Sequence, residues 1–276
     1  MIIVGVDGSR AGLEATAWAA GEAALRKAPL TIGHAIPRWA LELDSGRYAE
    51  VAAWMREGGT SVLTAAQERA RREQPEVEVR TVLLPGDARN ALIDAARDAD
   101  LLVVGNHGLG RVRGLLVGSV AYGVAAHAAG DVVVVREVPD RPRGEVVAGI
   151  DGSAASEQVL AFALAEAELR HAALRVVHAW AWPGPGPGPE EGSERAVLRD
   201  TLAGVRDRHP GVRIVDETVQ GHPVEVLREA AAGADLLVVG SRGHGAIAGM
   251  VLGSVSQALV QDAPAPLAVV RTRGGK

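Results

Sequence analysis

Short, continuously apolar runs alternate along this chain with longer stretches in which apolar residues recur at helical spacing. Leu101-Leu102-Val103-Val104 has no polar position at all, the pattern of a strand covered on both faces. Read in this way, strands are expected at 2–7, 30–35, 77–83, 101–105 and 131–136, with helices near 10–28, 49–73, 87–98 and 115–128. A second series follows, with strands at 145–150, 173–179, 212–219, 235–240 and 266–271 and helices near 154–171, 192–208, 222–232 and 252–262. Strands alternating with helices give a parallel sheet with right-handed crossovers. The expected fold is therefore α/β: two tandem doubly wound domains, each a five-stranded parallel sheet flanked by helices.

The two series are copies of one another. Ile2-Ile3-Val4-Gly5-Val6-Asp7-Gly8-Ser9 returns as Val146-Val147-Ala148-Gly149-Ile150-Asp151-Gly152-Ser153, and His34-Ala35 as His178-Ala179, both 144 positions on. Asp100-Leu101-Leu102-Val103-Val104-Gly105 returns as Asp235-Leu236-Leu237-Val238-Val239-Gly240, and Gly118-Ser119-Val120 as Gly253-Ser254-Val255, now only 135 positions on. The second copy is thus nine residues shorter between His178 and Gly240. The shortening is expected where the copies look least alike, at Ile36–Tyr48 in the first and in the Pro-Gly tract 183–189 of the second. The domains are drawn at 1–138 and 145–273, joined by a linker over about 137–144 that carries Pro and Arg.

Composition narrows the chemistry. A formal net charge of −5 argues against a broad nucleic-acid footprint. The absence of cysteine removes disulfides, thiolate metal sites and thiol nucleophiles. Lys27 and Lys276 are the only lysines, and neither precedes Ser or Thr, so a lysine-bearing phosphate loop is excluded. No run approaches the length of a membrane span, and Met1–Asp7 lacks the basic start of a signal peptide; a cytoplasmic location is expected, with no membrane association.

In a doubly wound sheet, ligands bind beyond the carboxyl ends of the strands, where the strand order reverses. Unusual residues gather at two such ends. After strand one come Asp7 and Asp151, each of which could close a turn or accept hydrogen bonds from a ligand amine or hydroxyl. Ser9 and Ser153 suit the N-cap of the next helix. Gly5 and Gly149 lie two residues before the aspartates, on the same strand face, where a missing side chain marks a close approach. After strand four, Gly105-Asn106-His107-Gly108 and Gly240-Ser241-Arg242-Gly243 are each followed nine residues later by Gly-Ser: Gly118-Ser119 and Gly253-Ser254. Such glycines bring backbone amides close to a ligand, and a helix start favours phosphate. Phosphate could then be held without lysine.

These residues resemble the universal stress protein family in its tandem, ATP-binding form, and the resemblance covers both halves of the chain. It rests on the Asp-Gly-Ser strand ends, His34-Ala35 and His178-Ala179, the two glycine loops, and the closing strands Val132–Arg136 and Leu267–Arg271. It implies a Rossmann-like fold with one adenine-nucleotide site per domain, taking ATP with or without Mg2+. In the first site it points to Gly5, Asp7, Ala35, Val104, Gly105, Asn106, His107, Gly108, Gly118, Ser119 and Val120. In the second it points to Gly149, Asp151, Ala179, Val239, Gly240, Ser241, Arg242, Gly243, Gly253, Ser254, Val255 and Ser256. Asp7 and Asp151 would stand on the adenine side, and Ala35 and Ala179 would meet adenine through their backbone. The resemblance also implies that the strands at 131–136 and 266–271 pair the two domains within the chain, with a homodimer as a further option. The second copy keeps Ser241 and Ser256 where the first has Asn106 and Ala121, so site two is expected to be at least as tight as site one.

The remaining candidates have plainer readings. Eight histidines show no metal-ligand spacing. His34 and His178 suit a core hydrogen bond; His107 and His244 could reach phosphate and Arg111 and Arg242 could neutralise it, whereas Arg113 suits a solvated position. Trp39, Trp54, Trp180 and Trp182 suit packing. No catalytic constellation and no metal site is identifiable. The resemblance implies a nucleotide-dependent regulator or sensor of stress response and not a dedicated enzyme. A slow ATPase or nucleotidyl- or phosphotransferase using the same pockets, and a scaffold with vestigial pockets, remain rival readings, as does ADP in place of ATP.

Overall fold

A computed structural model describes residues 1–108, 118–136, 138–139, 142–181, 191–243 and 251–271. It divides into two compact units, Met1–Arg136 and Glu137–Lys276.

In the first unit the chain runs β1 (Ile2–Gly5), α1 (Arg10–Arg26), β2 (Leu30–Ile36), α2 (Arg38–Glu42), α3 (Ala49–Glu73), β3 (Val79–Pro85), α4 (Ala88–Ala95), β4 (Leu101–Gly105), α5 (Ser119–His127) and β5 (Val132–Val135). The strands are all parallel, in the order β3-β2-β1-β4-β5. The second unit repeats the plan with β6 (Glu145–Ile150), α6 (Ala155–Arg170), β7 (Ala173–Trp180), α7 (Glu191–Thr201), α8 (Val205–Arg208), β8 (Ile214–Gln220), α9 (Pro223–Ala231), β9 (Leu236–Gly240), α10 (Ser254–Asp262) and β10 (Leu267–Val270). Its order is β8-β7-β6-β9-β10, again parallel. Among the described residues, no helix is long and apolar enough to cross a membrane.

The central strands β1, β4, β6 and β9 carry the apolar core, with Ile2, Leu101, Leu236 and Leu237 fully buried. The helix on the sheet is nearly smooth: Ala15, Ala19, Ala20 and Ala23 of α1 have no exposed surface. Small residues let its backbone approach the strands closely. Both α1 and α6 stop at a left-handed residue, Lys27 (φ 49°) and His171 (φ 51°), whose N–H groups satisfy carbonyls of the last turn.

Two expectations need correction. The segment 36–48 holds a short helix, α2, whose Ala40 is buried against Ile36 and Ala52. The long helix of the first unit is also interrupted in the second. Unit one has a single 25-residue helix, α3, where unit two has an 11-residue α7 and a four-residue α8 separated by a turn with Gly204 at φ 68°.

Candidate functional site

Strand order reverses between β1 and β4 in the first unit and between β6 and β9 in the second. At that point the crossovers on the two sides leave to opposite faces, and a crevice opens beyond the strand ends. Each unit has a cavity there, of about 200 Å³ in the first and about 210 Å³ in the second. Gly5 lies opposite Val104 and Gly33 across three neighbouring strands, as Gly149 lies opposite Val239 and Val177. These pairs form the cavity floor.

The first unit's cavity is lined by Gly5, Asp7, Ala35, Val104, Gly105, His107, Gly108, Gly118, Ser119 and Val120. The second is lined by Gly149, Asp151, Ala179, Val239, Gly240, Arg242, Gly243, Gly253, Ser254, Val255 and Ser256. Asn106 and Ser241 are the exceptions among the candidate residues. Each is only 2% exposed and lies off the cavity wall. They act through their backbones instead. Asn106 N–H donates to Val135 O and Asn106 O accepts from Gly118 N; Ser241 N–H donates to Val270 O and Ser241 O accepts from Gly253 N. The bonds from Gly118 and Gly253, both 2.8 Å, clamp the base of each glycine loop. The loop interiors at 109–117 and 244–250, with Arg111, Arg113 and His244, lie outside the described residues, as do Trp182 and the tract 183–189.

Each clamp delivers the chain into a helix start. Gly118 and Gly253 are the N-caps of α5 and α10, in extended conformation and with no side chain capping the first turn. The leading N–H groups of both helices therefore stand at the cavity wall beside Ser119, Val120, Ser254 and Val255. That arrangement favours an anion. Apolar side chains complete the lining: Leu92 with the floor residue Val104 in one unit, Leu227 with the floor residues Val177 and Val239 in the other. One flat, weakly polar group and one anionic group would be served by the two ends.

Asp7 and Asp151 both fold back on the turn that follows them. Ser9 N–H donates to Asp7 Oδ1 and Ser153 N–H to Asp151 Oδ1, each at 3.0 Å. Beyond that the copies part. Ser9 Oγ accepts from Gly12 N and caps α1, as expected. Ser153 does not cap α6. The cap position falls to Ala154, and Ser153 Oγ is buried without a partner. Ser156 stands where the first unit has Gly12, and its N–H, the counterpart of the one Ser9 caps, donates to the Ser153 carbonyl instead. Its hydroxyl accepts from Asp151 N and Gly152 N and donates to Asp151 Oδ1. Nothing in the motifs points to Ser156; the usable signal is the Gly-to-Ser exchange at the repeat's own offset of 144.

Two other expectations change, and a third holds. Gly5 and Gly149 line the cavities, but the close approach they permit is by a leucine: a Cβ on Gly5 would lie 2.5 Å from Leu92 Cδ1, and one on Gly149 2.8 Å from Leu227 Cδ1. The Ser256 hydroxyl donates to Gly240 O, so the group that Ala121 lacks is committed to the loop base. Neither Asn106 nor Ser256 therefore gives the physical ground for ranking the sites. The histidines of strand two do hold the core: His34 Nδ1 meets Val6 O at 2.8 Å and His178 Nδ1 meets Ile150 O at 3.1 Å. His178 also has a second partner, Glu194 Oε2 of α7 at 2.7 Å.

The model of the universal stress protein family matches the chain twice, over residues 1–136 and 143–271. Universal stress protein Rv2623 of Mycobacterium tuberculosis is 37% identical over 284 residues, covering 98% of this chain and 96% of that one. A universal stress protein of Mycolicibacterium smegmatis is also 37% identical, covering 99% and 97%. In structure, a universal stress protein of Archaeoglobus fulgidus superposes with a TM-score of 0.77 at 20% identity, covering 99% of this chain and 98% of that one; at that identity the likeness is one of fold.

Proposed function

The chain belongs to the universal stress protein family, and from that premise we propose that each unit binds one adenine nucleotide, ATP foremost, in the cavity at its strand-order reversal. The chain then works as a cytoplasmic, nucleotide-dependent regulator or sensor of stress response and not as a dedicated catalyst. One observation carries this reading: the same three devices meet at the same cavity in both units. These are a carboxylate closing the first strand, a clamped glycine loop after the fourth, and an uncapped helix start.

In each site the purine lies against the apolar wall, with Asp7 or Asp151 and the backbone of Ala35 or Ala179 on its polar edge. The phosphates lie at the helix start, where loop amides, Ser119 or Ser254, and in the second site Arg242 meet them. An anion held by amides and hydroxyls needs no lysine. Among the described residues no group of three His, Asp or Glu side chains could hold a metal ion.

The test is native mass spectrometry of the purified chain, followed by identification of the ligand released on denaturation and by calorimetric titration with ATP. Two equivalents of adenine nucleotide per chain are expected. A chain that carries none and shows no heat with ATP is a scaffold with vestigial pockets. Steady phosphate release at saturating ATP that is lost in Asp151→Ala would instead favour the ATPase reading.

A further inference from the structure

The two cavities are nearly equal in volume and are lined by mostly matching positions; beside the aspartate the buried residue differs. Ser156, 2% exposed, lines the second cavity; Gly12 lines the first. A serine hydroxyl offers one proton and two lone pairs. In Ser156 all three are used: the proton goes to Asp151 Oδ1 at 3.2 Å, and the oxygen accepts from Asp151 N at 3.3 Å and Gly152 N at 3.0 Å. Asp151 Oδ1 is thus gripped from two sides, by Ser156 Oγ and by Ser153 N. Its other oxygen is turned toward Gly243 of the glycine loop.

We propose that Ser156 is a positioning residue that presets Asp151 for the nucleotide and makes the second site the tighter of the two, through a hydroxyl contact that Gly12 cannot offer Asp7 in the first site. This rests on the nucleotide reading above. The first unit supplies its own control. A Cβ built on Gly12 would lie 3.4 Å from Asp7 Oδ1 and 3.6 Å from Asp7 N, in ordinary contact. The Cβ also lies 3.5 Å from Ser9 Oγ, so the position takes a Cβ in ordinary contact and brings it next to the Asp7 groups that match Ser156's partners on Asp151. A side chain already held in its bound rotamer loses less freedom on binding, so affinity rises. Having both states in one chain gives graded occupancy: as nucleotide rises, the second site fills first.

The test separates the sites with Gly243→Val, whose side chain overlaps Asp151 and closes site two, and Gly108→Val, which does the same at site one. In the Gly243→Val chain, Gly12→Ser is expected to bind ATP about tenfold more tightly than Gly12→Ala, which adds the Cβ without the hydroxyl. In the Gly108→Val chain, Ser156→Ala is expected to weaken binding by about tenfold. Should a valine variant not fold, the same exchanges are read in the otherwise native chain, as merging or separation of two binding steps in calorimetry. Equal affinities at the two sites, or a gain from Gly12→Ala as large as that from Gly12→Ser, overturns the role of the hydroxyl. Absence of any ATP binding by the native chain overturns the nucleotide reading itself, and is recognised before any exchange is made.

Discussion

The Cα of Gly243 faces the Asp151 carboxylate so closely that a methyl group built on it would run into Oδ2, and Gly108 stands in the same relation to Asp7. Two motifs about a hundred residues apart thus meet at one point in each unit. The glycine is required by its neighbour and not by its own backbone angles, since neither residue is among the glycines at positive φ.

It follows that Gly243→Ala and Gly108→Ala should each damage their own site and leave the other intact. To admit the methyl group, either the loop or the aspartate has to move. We expect ATP affinity at the altered site to fall by about tenfold or more, with the second binding step retained. Calorimetric titration with ATP checks this, with a thermal melt showing that the fold survives.

The serines after the aspartates should behave unequally although their sequences match. Ser9 Oγ accepts from Gly12 N, so Ser9→Ala removes a working cap and should cost about 1 kcal/mol. Ser153 Oγ has no partner, so Ser153→Ala removes a buried unsatisfied group and should be neutral or mildly stabilising. Native-state hydrogen exchange of the first-turn amides of α1 and α6 reads the two effects separately. A comparable loss at both helices would count against the difference seen here.

This inequality marks where the sequence stops being legible. The alternation of apolar runs with helical stretches places every strand to within a few residues, because buried parallel strands leave no room for polar positions. The two copies of the motifs already assign Asp7, Gly105 and Gly118 to one site, since a doubly wound order brings those strand ends together. Helix α2 leaves no such trace, because Arg38–Glu42 is one and a half turns long and buries a single alanine, too little for a periodic signal. Ser153 has the look of a cap and is not one, because a cap is decided by competition. The Ser156 N–H goes to the Ser153 carbonyl in place of its hydroxyl, and no local rule sees it. The leucine over Gly5 is likewise invisible, because Leu92 arrives from a helix 87 residues away.

Glu194 gives a third expectation, confined to the second unit. His178 is 4% exposed and held between Ile150 O and Glu194 Oε2. Glu194→Ala would leave its Nε2 buried with no protein partner, which costs about 1–3 kcal/mol. The loss should appear as faster exchange along α7 and a lower melting temperature. Because Ala179, next to His178, lines the cavity, ATP should slow that exchange in the native chain more than in the variant.

The strand glycines should separate by what their missing side chain faces. A Cβ on Gly5 meets Leu92 Cδ1, the far end of a flexible side chain that can turn aside. A Cβ on Gly105 meets the backbone carbon and oxygen of Ala11, both at 2.8 Å, in the first turn of α1. That turn is fixed by the Ser9 cap and by the burial of Ala15 and Ala19 behind it. It can move only by lifting α1 from the sheet. Gly5→Ala should therefore cost about 1 kcal/mol and Gly105→Ala about 3 kcal/mol or more, the range expected for overpacking against soft and against rigid neighbours. Chemical denaturation of the two variants beside the native chain decides the order. If Gly5→Ala proved the more damaging, the close contact of α1 with the end of β4 would not be what holds Gly105 in place.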